Sequence, residues 1–289
     1  MDNISNYTLM KKIILLFIFV GLFSCKKEND HIHFGSISVL NTSELTEAQE
    51  LLEGKTEITG FVQVNGQTNP DLSFLENIER IGGRLRLTEN TITNLSSLSN
   101  LTSIEGPLEI SGNTIESLAG LENLTNVESL VIDSNNPDLV IDAVANVAVS
   151  RGFSIRDFDT EIPVFPNVKN IEALLLFDLS NITDISFLPN LTTVSDDIYI
   201  SNNDQLESLE GLNSITELAW LNVHDNDALT DLSALTNMDN VTKISMYYNT
   251  QLTDYCPLKT AVSNYNLESA FFSENLENPT KEEIISDCP

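Results

Sequence analysis

The chain has 289 residues, enough for one large domain or two modest ones with a substantial buried core. Its 43 acidic residues outnumber 14 basic ones, for a formal net charge of -29. That balance repels nucleic acid and anionic lipid headgroups, which argues against both as partners, and it also serves solubility.

The first segment reads as separate from the fold. From Met10 to Cys25 the sequence is MKKIILLFIFVGLFSC, with a basic start at Lys11 and Lys12, an apolar run from Ile13 to Phe23, and Ser24 before the cysteine. This is the pattern of a secretory signal, too short to persist as a membrane-spanning helix. Leu22 to Cys25 resembles the lipobox of bacterial lipoproteins. That resemblance implies removal of residues 1–24, diacylation of Cys25 and a lipid anchor as the only membrane contact. An ordinary signal peptide with an unmodified cysteine is the alternative. The following KKENDH resembles the export tags of Bacteroidota surface lipoproteins, which implies an outer-membrane, outward-facing location. Residues 25–42 then read as a tether.

With Cys25 lipidated, Cys256 and Cys288 remain in an oxidising compartment and are expected to form a disulfide. It closes a loop of about 30 residues and stabilises by about 3 to 4 kcal/mol in the chain-entropy model. No CxxC or Cys/His cluster suggests structural zinc.

Residues 43–55 predict a capping helix, with Ser43 at the N-cap, Leu45, Ala48, Leu51 and Leu52 on one face, and Gly54 near its end. Beyond it, over residues 56–255, an apolar-x-apolar motif recurs nine times. It begins at Val62, Leu85, Leu108, Leu130, Phe153, Leu174, Ile198, Leu221 and Ile244, in steps of 21 to 24 residues. Five residues after the motif's first position stands Asn90, Asn113, Asn135, Asn203, Asn226 or Asn249 in six of the nine copies. Apolar residues then come every third position, as in Leu206, Leu209, Leu212, Ile215 and Leu218. Each copy therefore reads as one coil: a short parallel strand, a turn at the asparagine, and a 3₁₀-like arc returning to the next strand. No coil buries its leucines alone, so the coils must stack and the ends must be capped. Residues 137–152 predict a true helix in place of one arc, and residues 256–289 a C-terminal cap.

The segments LTSIEGPLEISGN, from Leu101 to Asn113, and ENLTNVESLVIDSN, from Glu122 to Asn135, carry the resemblance to a known family. The first resembles leucine-rich repeats of the receptor L-domain type, and the second is similar to internalin-like repeats. The resemblance implies an α/β solenoid dominated by β-structure: a right-handed coil of about nine rungs with one parallel sheet, a helical N-cap and a disulfide-linked C-terminal cap.

Little in the sequence points to catalysis. The histidines are His31, His33 and His224; a Ser/His/Asp triad would need His224, and no GxSxG elbow is present. No enzyme activity or cofactor is expected. Asp204, Asp225 and Asp227 flank the asparagine column but lack the DxDxDG pattern of a calcium loop, so the asparagines are expected to form a structural ladder rather than hold metal.

Strand alternation points other residues outward. In the later coils Leu175, Phe177, Tyr199, Asn222, His224 and Tyr247 fall on one sheet face, with Trp220 and Tyr248 at its rim. Such a group suits a recognition surface for a protein or glycan, or alternatively local packing against a cap or loop. The expected function is a surface-anchored binding or adhesion protein, or else a structural or assembly component of the bacterial envelope that binds another surface protein.

Overall fold

The computed structural model describes residues 30–288, so the signal segment, the lipidation candidate Cys25 and the start of the expected tether lie outside the described residues. All nine expected motifs are strands. They are β4 (Val62–Asn65), β6 (Leu85–Thr88), β8 (Leu108–Ser111), β9 (Asn126–Asp133), β10 (Ala148–Phe158), β11 (Asn170–Leu179), β12 (Thr193–Ser201), β13 (Glu217–His224) and β14 (Asn240–Tyr247). Each pairs in parallel with its neighbours. Both apolar residues of every motif are at most 1% exposed, which explains the fixed alternation: the inner face of the sheet is the core wall.

Two further strands lengthen this column. β2 (Ile37–Val39) pairs with β4, and β15 (Ser269–Ser273) pairs with β14. The expected tether is thereby shortened. Its last residues enter the sheet because Ile37 and Val39 repeat the apolar-x-apolar motif and are buried at 3% and 0%. β1 (Ile32–His33) also joins, beside β3 (Glu57–Ile58).

In the early coils a second short strand precedes the main one: β3, β5 (Arg80–Ile81) and β7 (Ser103–Ile104). A glycine corner separates the two. Gly83 N donates to Gly60 O at 2.9 Å, and Gly106 N to Gly83 O at 3.1 Å. A Cβ at Gly60 would lie 2.3 Å from the Gly35 carbonyl oxygen, so the stacked backbones leave room only for glycine there. From β9 onward the two segments run as one strand, and side chains such as Glu128, Arg151 and Glu172 occupy the corner column. Arg151 bridges Glu128 and Glu172, at 2.8 Å each.

The return arcs bury their every-third apolar residues, with Leu206, Leu209, Leu212, Ile215 and Leu218 between 0% and 4% exposed. Several contain a 3₁₀ turn, at Leu72–Leu75, Ser96–Leu98, Asp142–Val144, Ser233–Leu235 and Cys256–Leu258. The helix expected over residues 137–152 does not form. Asp142–Val144 is a single 3₁₀ turn and β10 begins at Ala148. The β-branched residues Val140, Ile141, Val144, Val147 and Val149 favour extended backbone, and Ile141, Val144 and Val147 hold the arc's spacing and burial.

Both ends are covered. Helix α1 (Thr42–Leu52) lays Ala48 and Leu52 over the first coils. Its N-cap is Asn41 rather than the expected Ser43. The Asn41 Oδ1 accepts from the backbone of Ser43 and Glu44 at 3.0 and 3.1 Å, which satisfies two orphan donors of the first turn. At the other end α2 (Lys259–Ser263) and α3 (Lys281–Asp287) are joined through the Cys256–Cys288 disulfide. Thr280 and Glu283 form a capping box at the start of α3.

Candidate binding face

The asparagine column and the outward column have different jobs. Asn226 is fully buried. Its Nδ2 donates to the carbonyls of Ile200 and His224 at 3.1 and 2.9 Å, and its Oδ1 accepts from the backbone of Asn203 at 3.2 Å. Asn203, Asn249, Asn113 and Asn90 repeat this rung, each donating to the strand of the preceding coil. Asn135 does so from a half-buried position. The ladder runs one member further than expected: Asn275 Oδ1 accepts from Asn249 N at 2.9 Å, and Asn278 then closes the column. Buried Phe158 and Leu179 break it into two runs. All the amide groups are consumed by backbone, so this column is wall.

Just before the asparagine slot the chain turns through positive φ in coil after coil, with glycine at Gly66 and Gly112 and short polar residues at Asp157, Asp178, Asn202 and Asp225. Tyr248 takes the same conformation, at φ 56, and is 49% exposed. A bulky residue is disfavoured there.

The outward residues of β11 to β14 gather as expected. Leu175, Tyr199 and Asn222 lie side by side in one paired row, while His224 and Tyr247 are paired in the next, with Phe177 two strands away across Ser201. Trp220 sits between Asp197 and Lys243 in a third row. The rings touch in two groups. Phe177 and Tyr199 have centroids 6.5 Å apart, and Tyr199 meets Trp220 edge to face at 5.1 Å. His224 stacks on Tyr247 at 4.4 Å, and Tyr247 meets Tyr248 at 5.7 Å. Trp220 Nε1 donates to Ser245 Oγ at 3.3 Å, which fixes the indole. All these rings except Tyr248 are half-buried, and Asn222 beneath them is only 6% exposed.

Three residues outside the expected aromatic group join it. Phe271 on β15 meets Tyr247 at 6.2 Å and is 55% exposed, so the C-terminal cap extends the aromatic row instead of covering it. The signal was present: Phe271 stands between Ala270 and Phe272, which are paired with the buried Ile244 and Met246. Arg156 places its guanidinium 4.7 Å from the Phe177 centroid, and Asp197 lies beside Trp220. Burial raises the pKa of the Asp197 carboxyl, Asp196 adds to this, and Lys243 opposes it. Burial also raises the phenol pKa values of Tyr199 and Tyr247, and the neighbouring Asn222 amide pulls each part of the way back.

His224 Nδ1 lies 2.7 Å from the carboxylate of the adjacent Asp225. Among the described residues no group of three or more His, Cys, Asp or Glu side chains gathers. Clefts lie beside α1 around Gln49 and Phe74 and along the arcs around Ile182 and Asn94.

Comparison with known proteins fits this geometry. A family model described as the receptor L domain matches residues 79–151. An internalin, InlF of Listeria monocytogenes, is a structural neighbour at 18% identity and a TM-score of 0.51, covering 83% of this chain and 74% of its own. The chain folds as a leucine-rich-repeat solenoid. Internalin C2 of the same organism is also similar, at 23% identity and a TM-score of 0.44, over 78% of this chain and 83% of its own. No match was found among curated proteins. Among the described residues of the solenoid no helix is long and apolar enough to cross a membrane.

Proposed function

We propose that the solenoid is a lipid-anchored binding protein displayed on a bacterial surface, recognising a protein or glycan partner through the aromatic end of its strand face. The observation that carries this is the pair of ring groups on neighbouring strands of one sheet face, Phe177–Tyr199–Trp220 and His224–Tyr247–Phe271. Parallel pairing on both sides fixes the backbone of every strand that bears them, so little ordering cost falls on association. Aromatic rings that combine burial with exposure are the side chains most often found at the centre of binding interfaces. The anchor rests on the sequence around Cys25, and the Bacteroidota-like export tag supports outward display from the outer membrane.

Two experiments test the two halves of the reading. Replacing Tyr199, Trp220 and Tyr247 together with alanine abolishes binding on protein and glycan arrays while circular dichroism stays unchanged; intact binding moves the site elsewhere. Protease treatment of intact cells removes a displayed protein, and complete protection places it on the periplasmic side.

A further inference from the structure

We propose that the aromatic end of the strand face contains a cup, floored by Asn222, that seats the cationic side chain of a basic protein segment, arginine foremost. The inference rests on the strand face being the binding surface and names the chemistry of its ligand.

The pairing register sets Asn222 at the centre of three strands. Tyr199 lies on one side and Ser245 on the other, with Trp220 before it and His224 after it on its own strand. Leu221 and Val223, which flank Asn222, point into the core at 0% exposure, so the Asn222 side chain leaves the outer face among the rings. It is 94% buried there, and its Oδ1 has no hydrogen-bond partner. Acceptors this deep are nearly always paired, and leaving one unmet costs stability. The ladder shows what a satisfied asparagine looks like in this fold, since Asn203, Asn226 and Asn249 have every Oδ1 engaged. Asn222 holds an unpaired acceptor beneath the rings, and we infer that a donor from outside completes it.

A hydroxyl or a cationic N–H would satisfy the acceptor, and the surroundings favour the cation. Ring faces attract positive charge, most strongly that of tryptophan. Asp197 stands beside Trp220, Asp225 follows His224, and the whole chain carries -29. The same surface already shows the pairing in its own residues. Arg156 covers Phe177 at 4.7 Å and Arg84 covers Phe61 at 5.0 Å. Tyr199 and Tyr247 have no such internal guanidinium, and Lys243, the one cation in the three strands' central block, reaches toward Glu268 at 4.0 Å. A guanidinium entering from a partner meets a carbonyl acceptor, ring faces and nearby carboxylates together.

Trp220 is the only tryptophan in the chain, so its fluorescence reports on the cup alone. The full chain is titrated with a capped Gly-Arg-Gly-Arg-Gly peptide, its glutamine counterpart and chitohexaose. The arginine peptide gives a saturable change in Trp220 emission that weakens at high salt, and the glutamine peptide gives none. Asn222→Leu, which keeps the volume and removes the acceptor, weakens the response about tenfold. Asn222→Asp, which puts charge at the same atoms, strengthens it several-fold. Equal responses to the two peptides, an unchanged affinity in both variants, or a response to chitohexaose alone each overturn the cationic cup. Absence of an arginine response while array binding still requires Tyr199, Trp220 and Tyr247 overturns the cup and leaves the strand-face reading standing. Loss of that requirement as well overturns both.

Discussion

His224 and Tyr247 stack face to face across adjacent strands, with centroids 4.4 Å apart and planes 7° from parallel. The contact is a cross-strand pair on the outer face of a sheet, and such pairs contribute beyond the area they bury. His224→Ala is expected to destabilise by about 1 kcal/mol and His224→Phe to restore most of it. Chemical denaturation of the two variants beside the parent checks this.

The ladder makes a larger claim on stability. Asn226→Ala removes the partner of Asn203 N and leaves the Ile200 carbonyl without its side-chain donor inside a closed wall. A cost of about 3 kcal/mol follows, against about 1 kcal/mol for half-buried Asn135→Ala. The thermal midpoints of both variants test the order; equal shifts would contradict a ladder whose strength follows burial.

The Cys256–Cys288 bridge closes 32 residues of chain around β15, α2 and α3. Reduction is expected to cost about 3 to 4 kcal/mol and to release these elements before the coils. Hydrogen exchange reads it out, with residues 269–288 losing protection first under reductant.

Asp197 gives the pH dependence. Its carboxyl titrates above the usual range because burial penalises its charge, so the folded state binds the proton more tightly than the unfolded one. The penalty grows as pH rises from the unfolded pKa through the raised folded value, and it vanishes in acid. Asp197→Asn therefore raises the thermal midpoint at neutral pH, and the advantage disappears below the carboxylate range. The same variant weakens the arginine response of Trp220.

Much of this molecule is legible before any coordinates. The strand positions from Val62 to Met246 follow from a two-residue alternation repeated at 21 to 24 residues, because a stacked coil repeats its environment at each rung. The asparagines follow for the same reason. The ends were harder to read. Ile37–Val39 and Ser269–Ser273 pair with the sheet, yet each stands beside a cap that hides the period. In the 137–152 segment Ala143, Ala145 and Ala148 suit a helix, but the β-branched residues between them and the arc's burial pattern keep the chain extended. At the face, alternation placed Tyr199, Asn222 and Tyr247 correctly on the outer side. It did not reveal that Asn222 is covered by its neighbours, which depends on the side-chain directions of three strands at once.

The central claim is that binding resides at the aromatic end of the strand face. It is tested most directly by comparing two triple variants on the same arrays: Tyr199→Ala, Trp220→Ala, Tyr247→Ala, and, at the opposite end of the same face, Gln63→Ala, Arg86→Ala, Glu109→Ala. The account predicts that the first loses binding at least a hundredfold, from about 1 kcal/mol or more per ring, while the second binds as the parent does. Loss in the second variant with binding retained in the first would contradict it.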